Sequence, residues 1–249
     1  MTPKKAYRRG YPVAVLVGLE ENSAVAWQVF SKVVKPIATL QLKRKRSDPN
    51  EVYNFHESII NALRPTFKEG VRSVILASPA RTTYARDFVD HATRHHSWLT
   101  QGPNRVAFAE ITGSADNPST VAALTRTNGL QKLITETTSH ETLNLLELLN
   151  ARISNAGSCD SVLFSLEEAE DLILKAKTAS KNKAEFLLLT DKYLTQSHAK
   201  GRLNRLLQVA SNKNVKTRII DAESPAGKRL TQLGGFVCLT QPAINPKKN

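Results

Sequence analysis

Short apolar runs alternate with amphipathic stretches along almost the whole chain, and this alternation is the strongest constraint on the fold. The first three apolar runs are rich in Val and Ile and are separated by turn residues, as β-strands are. They cover residues 11–18, 23–30 and 33–42. The stretch that follows, over residues 51–63, has its large apolar side chains at helical spacing. Strand and helix patterns then take turns to the end of the chain.

This order of elements predicts an α/β fold with two α/β domains, each a mostly parallel or mixed sheet flanked by helices. The 249 residues fit two domains of ordinary size, and a hydrophobic fraction of 41% is enough for a packed core. We place a basic tail at residues 1–10, a first domain at 11–135 and a second at 136–249. Within them, single helices are expected over residues 118–134 and 166–177, and a long helix over 135–153 links the halves.

Positive charge is concentrated near the start of the chain. The whole chain has a net charge of +13, and residues 1–50 have ten basic against three acidic side chains, a net +7. Excess positive charge of this kind most often serves a nucleic-acid partner. Four of these residues form a continuous run between the third strand and the first helix, here called the basic loop: Lys43, Arg44, Lys45 and Arg46. Four more lie in the tail: Lys4, Lys5, Arg8 and Arg9.

Several other classes of protein are disfavoured by the sequence. No apolar run approaches the roughly 20 residues that cross a bilayer, and the start has no apolar segment of a signal peptide. Cys159 and Cys238 do not form a CxxC pair, so we expect a reducing, cytoplasmic setting and no cysteine-based zinc finger. No phosphate-binding or dinucleotide fingerprint is present, and no cofactor is predicted.

The segment after the basic loop has the signature of a helix start. Asp48, Pro49 and Glu51 fit an N-cap, a first helical residue and a capping-box glutamate. Asn50 is then expected in the first turn of the helix, beside the basic loop.

A histidine-rich stretch lies on the next predicted helix. Asp87, His91 and His95 are spaced four residues apart, with Asp90 and His96 nearby, and such spacing suits a zinc ligand set. No metalloprotease glutamate follows the first histidine, and no further ligands are evident. We therefore expect a polar stripe that faces solvent, and no metal site is predicted.

Four segments together resemble one known family. They are residues 183–191, which end in Thr-Asp, residues 221–242, and residues 72–80 and 106–124 in the first half. The second of these contains a Gly, spaced leucines and a Gly-Gly pair that lead into the last strand: Gly227, Leu230, Leu233, Gly234 and Gly235. In order and spacing the chain resembles the central and C-terminal domains of the archaeal and eukaryotic class-1 release factors and Pelota. The family's N-terminal, codon-reading domain has no counterpart and is expected to be absent.

The resemblance also carries expectations about function. At the position of the release factors' catalytic Gly-Gly-Gln, this chain has Asp48, Pro49 and Asn50, so it is more similar to Pelota, which has a basic loop there. The resemblance to Pelota implies a non-enzymatic ribosome-binding factor that rescues or occupies stalled ribosomes together with an elongation-factor-type GTPase. The basic loop and the basic tail would then contact ribosomal RNA or the acceptor end of a tRNA.

Two other functions stay open at this point. One is a peptidyl-tRNA hydrolase that releases nascent chains without reading a codon, with Asn50 orienting the water. The other is a general RNA-binding adaptor that shares only the fold with this family, since a fold does not fix a function.

Overall fold

The chain divides into two compact units. The computed structural model describes residues 10–102, 104–154, 161–175 and 183–241. Unit 1 contains residues up to Phe67 together with Val71–Glu141, and unit 2 contains Lys68–Gly70 and the residues from Thr142 onward.

Unit 1 is built on a five-stranded mixed sheet in the order β3-β2-β1-β4-β5. The first three strands form an antiparallel meander, and β4 and β5 continue the sheet parallel to β1. Leu16 of β1 therefore lies opposite Trp27 on one side and beside Ile75 on the other. The strands are β1 (Pro12–Leu19), β2 (Ser23–Phe30), β3 (Val34–Gln41), β4 (Ser73–Ser78) and β5 (Ala107–Thr112).

Helices cover both faces of this sheet. They are α1 (Pro49–Lys68), α2 (Tyr84–His95), α3 (Ser97–Thr100), α4 (Pro118–Thr125) and α5 (Asn128–Ser154), which begins in unit 1 and ends in unit 2. Because side chains alternate across a strand, Val15 and Val17 of β1 pack on the face covered by α1 and α2. Ala14 and Leu16 pack on the opposite face, against α4 and the start of α5.

The single helix predicted over residues 118–134 is wrong, because the structure has two. Asn117 caps α4 with a complete capping box, and the helix ends at Thr125. The hydroxyl of Thr127 then accepts the N–H of Leu130 over 3.3 Å and starts α5. A threonine hydroxyl can bond to a nearby backbone N–H and so compete with the hydrogen bonds of a continuous helix. The helical spacing of the apolar residues continues across Thr127, so the spacing did not reveal that one helix ends and another begins there.

Unit 2 contains a four-stranded mixed sheet in the order β6-β9-β7-β8, in which only the β7–β8 pair is parallel. Its strands are β6 (Val162–Leu163), β7 (Ala184–Thr190), β8 (Lys216–Ile220) and β9 (Phe236–Thr240). Its helices are α6 (Leu166–Glu170), which continues as a π-helical segment Asp171–Lys175, and then α7 (Asp191–Gln196), α8 (Lys200–Asn212) and α9 (Pro225–Gln232). The end of the helix predicted over residues 166–177 lies outside the described residues.

The sheet of unit 2 is also buried on both faces. Leu187 and Leu189 of β7 pack with Leu206 of α8, whereas Leu188 packs with Leu230 of α9. Two mixed sheets, each flanked by helices, confirm the predicted fold class. Among the described residues, no helix is long and apolar enough to cross a membrane.

Candidate nucleic-acid interface

The basic loop joins β3 to α1 and is fixed at both of its ends. Leu42, just before it, is buried, and its N–H donates to the carbonyl of Asn22 over 2.8 Å. At the other end, the N–H of Asp48 donates to the carbonyl of Lys45 over 3.1 Å and closes a turn. The loop is therefore short and held by backbone hydrogen bonds.

The start of α1 confirms one part of the predicted cap and corrects another. The Asp48 carboxylate accepts the backbone N–H of Asn50 at 3.0 Å and that of Glu51 at 3.4 Å, as an N-cap does. The capping-box role of Glu51 is wrong, because its carboxylate accepts the N–H of Lys43 over 2.9 Å. In a capping box, Glu51 would accept the N–H of Asp48, but that N–H already donates to the carbonyl of Lys45. Glu51 instead connects the helix to the basic loop.

Arg46 differs from its three neighbours because its side chain folds back onto the protein. Its Nε donates to the carbonyl of Glu21 over 2.7 Å, and its Nη2 donates to that of Glu20 over 2.6 Å. Its guanidinium also lies 3.9 Å from the ring centroid of Tyr84. Burial lowers the pKa of Arg46, with nearby Tyr84 among the groups that oppose the shift. The side chain anchors the basic loop to the β1–β2 turn and to the start of α2.

The other three side chains of the loop are exposed. They are here called the outward cations: Lys43, Arg44 and Lys45. Arg44 approaches Asp48 at 3.8 Å, but its side chain is 77% exposed, so this ion pair leaves the guanidinium accessible. The predicted RNA-binding residues of the tail lie outside the described residues: Lys4, Lys5, Arg8 and Arg9.

Asn50 is exposed in the first turn of α1, as the sequence predicted. Its backbone N–H is held by Asp48, so its position is that of a helical residue. The outward cations and the side chain of Asn50 thus belong to one short segment at the end of β3 and the start of α1.

The histidine-rich stretch is arranged differently from the prediction. His91 and His96 are only 7% and 8% exposed, so the interpretation of a solvent-facing stripe is wrong for both, although His95 and Asp87 are exposed. The Nε2 atoms of His91 and His96 lie 3.0 Å and 2.5 Å from the same carboxylate oxygen of Glu57. Sequence reasoning missed Glu57 because it lies on α1, far away along the chain.

This packing changes the pKa values of Glu57, His91 and His56. Burial raises the pKa of Glu57, but its hydrogen bonds with His96 and His91 outweigh burial and hold that pKa below the ordinary value. Burial lowers the pKa of His91, and the contact with Glu57 offsets only part of the shift. The neighbouring His56 is almost fully buried, and burial together with nearby His91 and Arg46 lowers its pKa to about 4.

The turns that follow β7 and β8 and the two ends of α9 are closely packed in unit 2. The Asp191 carboxylate, directly after β7, accepts the N–H of Ala222 over 3.0 Å and so joins two strand ends. Gly227, in the first turn of α9, has no room for a side chain, because a Cβ there would lie 1.9 Å from the carbonyl oxygen of Asp221. The glycines at 234 and 235 have φ of +97° and +79°, the left-handed values that their position after a helix requires.

Comparisons with known proteins agree with this architecture. No family model matches the chain, and no curated protein matches it in sequence. Among solved structures it is similar to S. cerevisiae Dom34, described as a translation termination-like factor involved in RNA quality control pathways and interacting with Hbs1 (TM-score 0.52, 16% identity). It is also similar to archaeal Pelota, in a model of ribosome-bound Pelota and ABCE1 (TM-score 0.54, 15% identity).

The similarity extends over almost the whole of this chain. The match to Dom34 covers 98% of this chain and 66% of Dom34, and the match to Pelota covers 96% of this chain and 64% of Pelota. At this identity the likeness is one of fold. The fold expected from the resemblance is therefore confirmed: the chain has a Dom34/Pelota-like fold.

Proposed function

We propose that this protein is a Pelota-like translation factor that binds ribosomes and acts without catalysis. The observation that carries the proposal is a basic loop held by hydrogen bonds at both ends on a fold shared with Dom34 and Pelota. In the proposal, unit 1 corresponds to the central domain expected at residues 11–135. Unit 2 corresponds to the C-terminal domain expected at 136–249.

The proposed RNA contact is made by the outward cations. Three exposed cations on an anchored loop suit phosphate oxygens, which give affinity and position without sequence readout. Arg46 supports this contact from behind, because its guanidinium is already occupied by two carbonyls and a ring. The basic tail (Lys4, Lys5, Arg8 and Arg9) would add further phosphate contacts on ribosomal RNA or on the acceptor end of a tRNA.

The proposed partners follow the same comparison. Dom34 is described as interacting with Hbs1, and archaeal Pelota is seen bound to the ribosome with ABCE1. We place a delivering GTPase of the elongation-factor type on unit 2 of this protein and stalled ribosomes in the cytoplasm as the target.

The test is a sedimentation gradient of the purified protein with stalled ribosomes that carry labelled peptidyl-tRNA. Both the protein and the label are followed. We expect the protein to sediment with the ribosomes while the label stays on the tRNA. The matched variant has all three outward cations replaced by Gln and should stay at the top of the gradient at moderate salt.

Two other outcomes would replace the proposal. Release of the label as free peptide would make the protein a peptidyl-tRNA hydrolase, and Asn50→Ala would then have to abolish release without changing sedimentation. Equal binding to naked RNA and to ribosomes would make it a general RNA-binding adaptor.

A further inference from the structure

We propose that Glu57, His91 and His96 form a binding site for a divalent cation of the zinc class. The nitrogen and oxygen atoms that they offer all lie within 4.8 Å of one another. The Nε2 atoms of both histidines point at one carboxylate oxygen, at 3.0 Å and 2.5 Å. Three ligand atoms this close together can bind one ion between them. This proposal does not depend on the proposed function.

The three residues are held by elements that the core fixes in place. Glu57 lies on α1 and His91 on α2, and both helices pack on the same core of unit 1 through residues such as Ile60 and Phe88. His96 lies at the junction of α2 and α3. Its N–H donates to the carbonyl of Ala92 over 2.9 Å, and its own carbonyl accepts the N–H of Leu99 over 2.8 Å. Ligands on packed helices stay close to a binding geometry without a cost in loop ordering.

The donor set favours zinc over calcium or magnesium. Two imidazole nitrogens and one carboxylate oxygen are a known three-ligand set for Zn²⁺, whereas calcium and magnesium prefer oxygen ligands only. The two imidazoles are nearly buried, but the Glu57 side chain is 25% exposed. The carboxylate side therefore opens to solvent and leaves room for a water molecule as the fourth ligand.

The adjustment that an ion requires is small. Ligand atoms about 2.0–2.1 Å from a tetrahedral zinc ion are roughly 3.3 Å apart. The two His–Glu contacts are now 3.0 Å and 2.5 Å, so the Glu57 carboxylate has to withdraw by less than about 1 Å. The two Nε2 atoms lie within 4.8 Å of each other and have to approach by at most about 1.5 Å. A glutamate side chain that reaches solvent can make this movement while α1 stays in place.

Trp98 gives the site its own reporter. Its indole N–H points at Nδ1 of His96 over 3.4 Å, a contact that fits the tautomer in which Nδ1 accepts and Nε2 carries the hydrogen toward Glu57. An ion on Nε2 requires that hydrogen on Nδ1, because a neutral imidazole has one N–H. Two N–H groups would then face each other, and the Trp98 contact has to open. The fluorescence of Trp98, which is 39% exposed, should change when the ion binds.

The first experiment titrates Zn²⁺ into the full chain after chelator treatment, with calorimetry for stoichiometry and tryptophan fluorescence for location. We expect one ion per chain and a fluorescence change that is lost in Trp98→Phe while binding remains. Co²⁺ as a second probe should give the visible absorption of a four-coordinate site with nitrogen and oxygen ligands.

Variants decide whether these residues hold the ion. Glu57→Gln and His96→Asn should each weaken Zn²⁺ binding by more than the roughly 10- to 100-fold that changes in outer hydrogen-bond partners cause. The controls are His140→Asn and His198→Asn, two exposed histidines outside the cluster, which should bind like the unmodified chain. Circular dichroism confirms that each variant is folded, and Glu57→Gln keeps the size of the side chain at a partly exposed position. Failure of the unmodified chain to bind, or equal binding by Glu57→Gln and the controls, would overturn the proposal.

Discussion

Replacing Arg46 by Ala is expected to destabilise unit 1, although its sequence neighbours in the basic loop can be replaced without that effect. The reason is that Arg46 alone of the four folds back onto the protein. It bonds the carbonyls of Glu20 and Glu21 and stacks on Tyr84. Its removal takes away the side-chain hydrogen bonds from the basic loop to the β1–β2 turn and leaves the backbone bond from Leu42 to Asn22.

The size of the effect can be worked from these contacts. A buried hydrogen bond with a charged donor contributes roughly 1.5–3 kcal/mol, and we take about 1 kcal/mol for each of the two because Arg46 is only half-buried. The guanidinium over Tyr84, at 3.9 Å, adds about 1 kcal/mol. The total of about 3 kcal/mol corresponds to a decrease in Tm of about 10 °C for a unit of this size.

Scanning calorimetry on three variants tests this reasoning. Arg46→Ala should show the full decrease in Tm, and Arg46→Lys should show an intermediate one, because lysine keeps the charge but lacks the forked donor geometry. Lys45→Ala, the exposed neighbour, should melt like the unmodified chain. An Arg46→Ala variant that keeps its Tm but loses ribosome binding as strongly as the outward-cation variant would refute the anchoring role and make Arg46 an RNA ligand.

Three further predictions concern the two units separately. Replacing the outward cations by Gln should make the slope of log affinity against log salt concentration shallower by about 2–3, because each lost phosphate contact removes roughly 0.7–0.9 from that slope. Ribosome pelleting between about 50 and 200 mM salt measures the slope. A matched triple at exposed lysines elsewhere in unit 1 should leave the slope unchanged: Lys32, Lys35 and Lys132. Gly227→Ala should destabilise unit 2 by about 1–3 kcal/mol in urea unfolding, because its Cβ would collide with a carbonyl; Gly201→Ala, which meets nothing within 4 Å, should not. The thiol of Cys238 should resist iodoacetamide until the protein unfolds, since burial raises its pKa to about 12. Between the ordinary pKa of 9.0 and this raised value, the folded protein keeps the thiol proton that the unfolded chain loses. The contribution of the buried Cys238 thiol to stability is therefore complete below pH 9.0 and is lost as the pH rises toward about 12. Unfolding curves in alkaline buffer would show this loss.

The sequence by itself determined most of the secondary structure and the fold class. The three strands of the meander and the Asp48 cap were predicted, because each depends on residues a few positions apart. Side-chain periodicity and cap chemistry are local, so they can be recognised without the rest of the molecule. The same locality explains the error at Thr127, where a helical period continued across a cap.

The tertiary structure decided what the candidate side chains do. Four consecutive cations look alike in sequence, and only the packing of the β1–β2 turn and α2 against the loop separates Arg46 from the outward cations. Glu57 meets His91 and His96 because the parallel β1–β4 and β4–β5 pairings bring α1 and α2 onto the same face of one sheet. Contacts between residues more than 30 positions apart depend on strand order and helix packing, which are set by burial of the whole core and not by the local sequence around either residue.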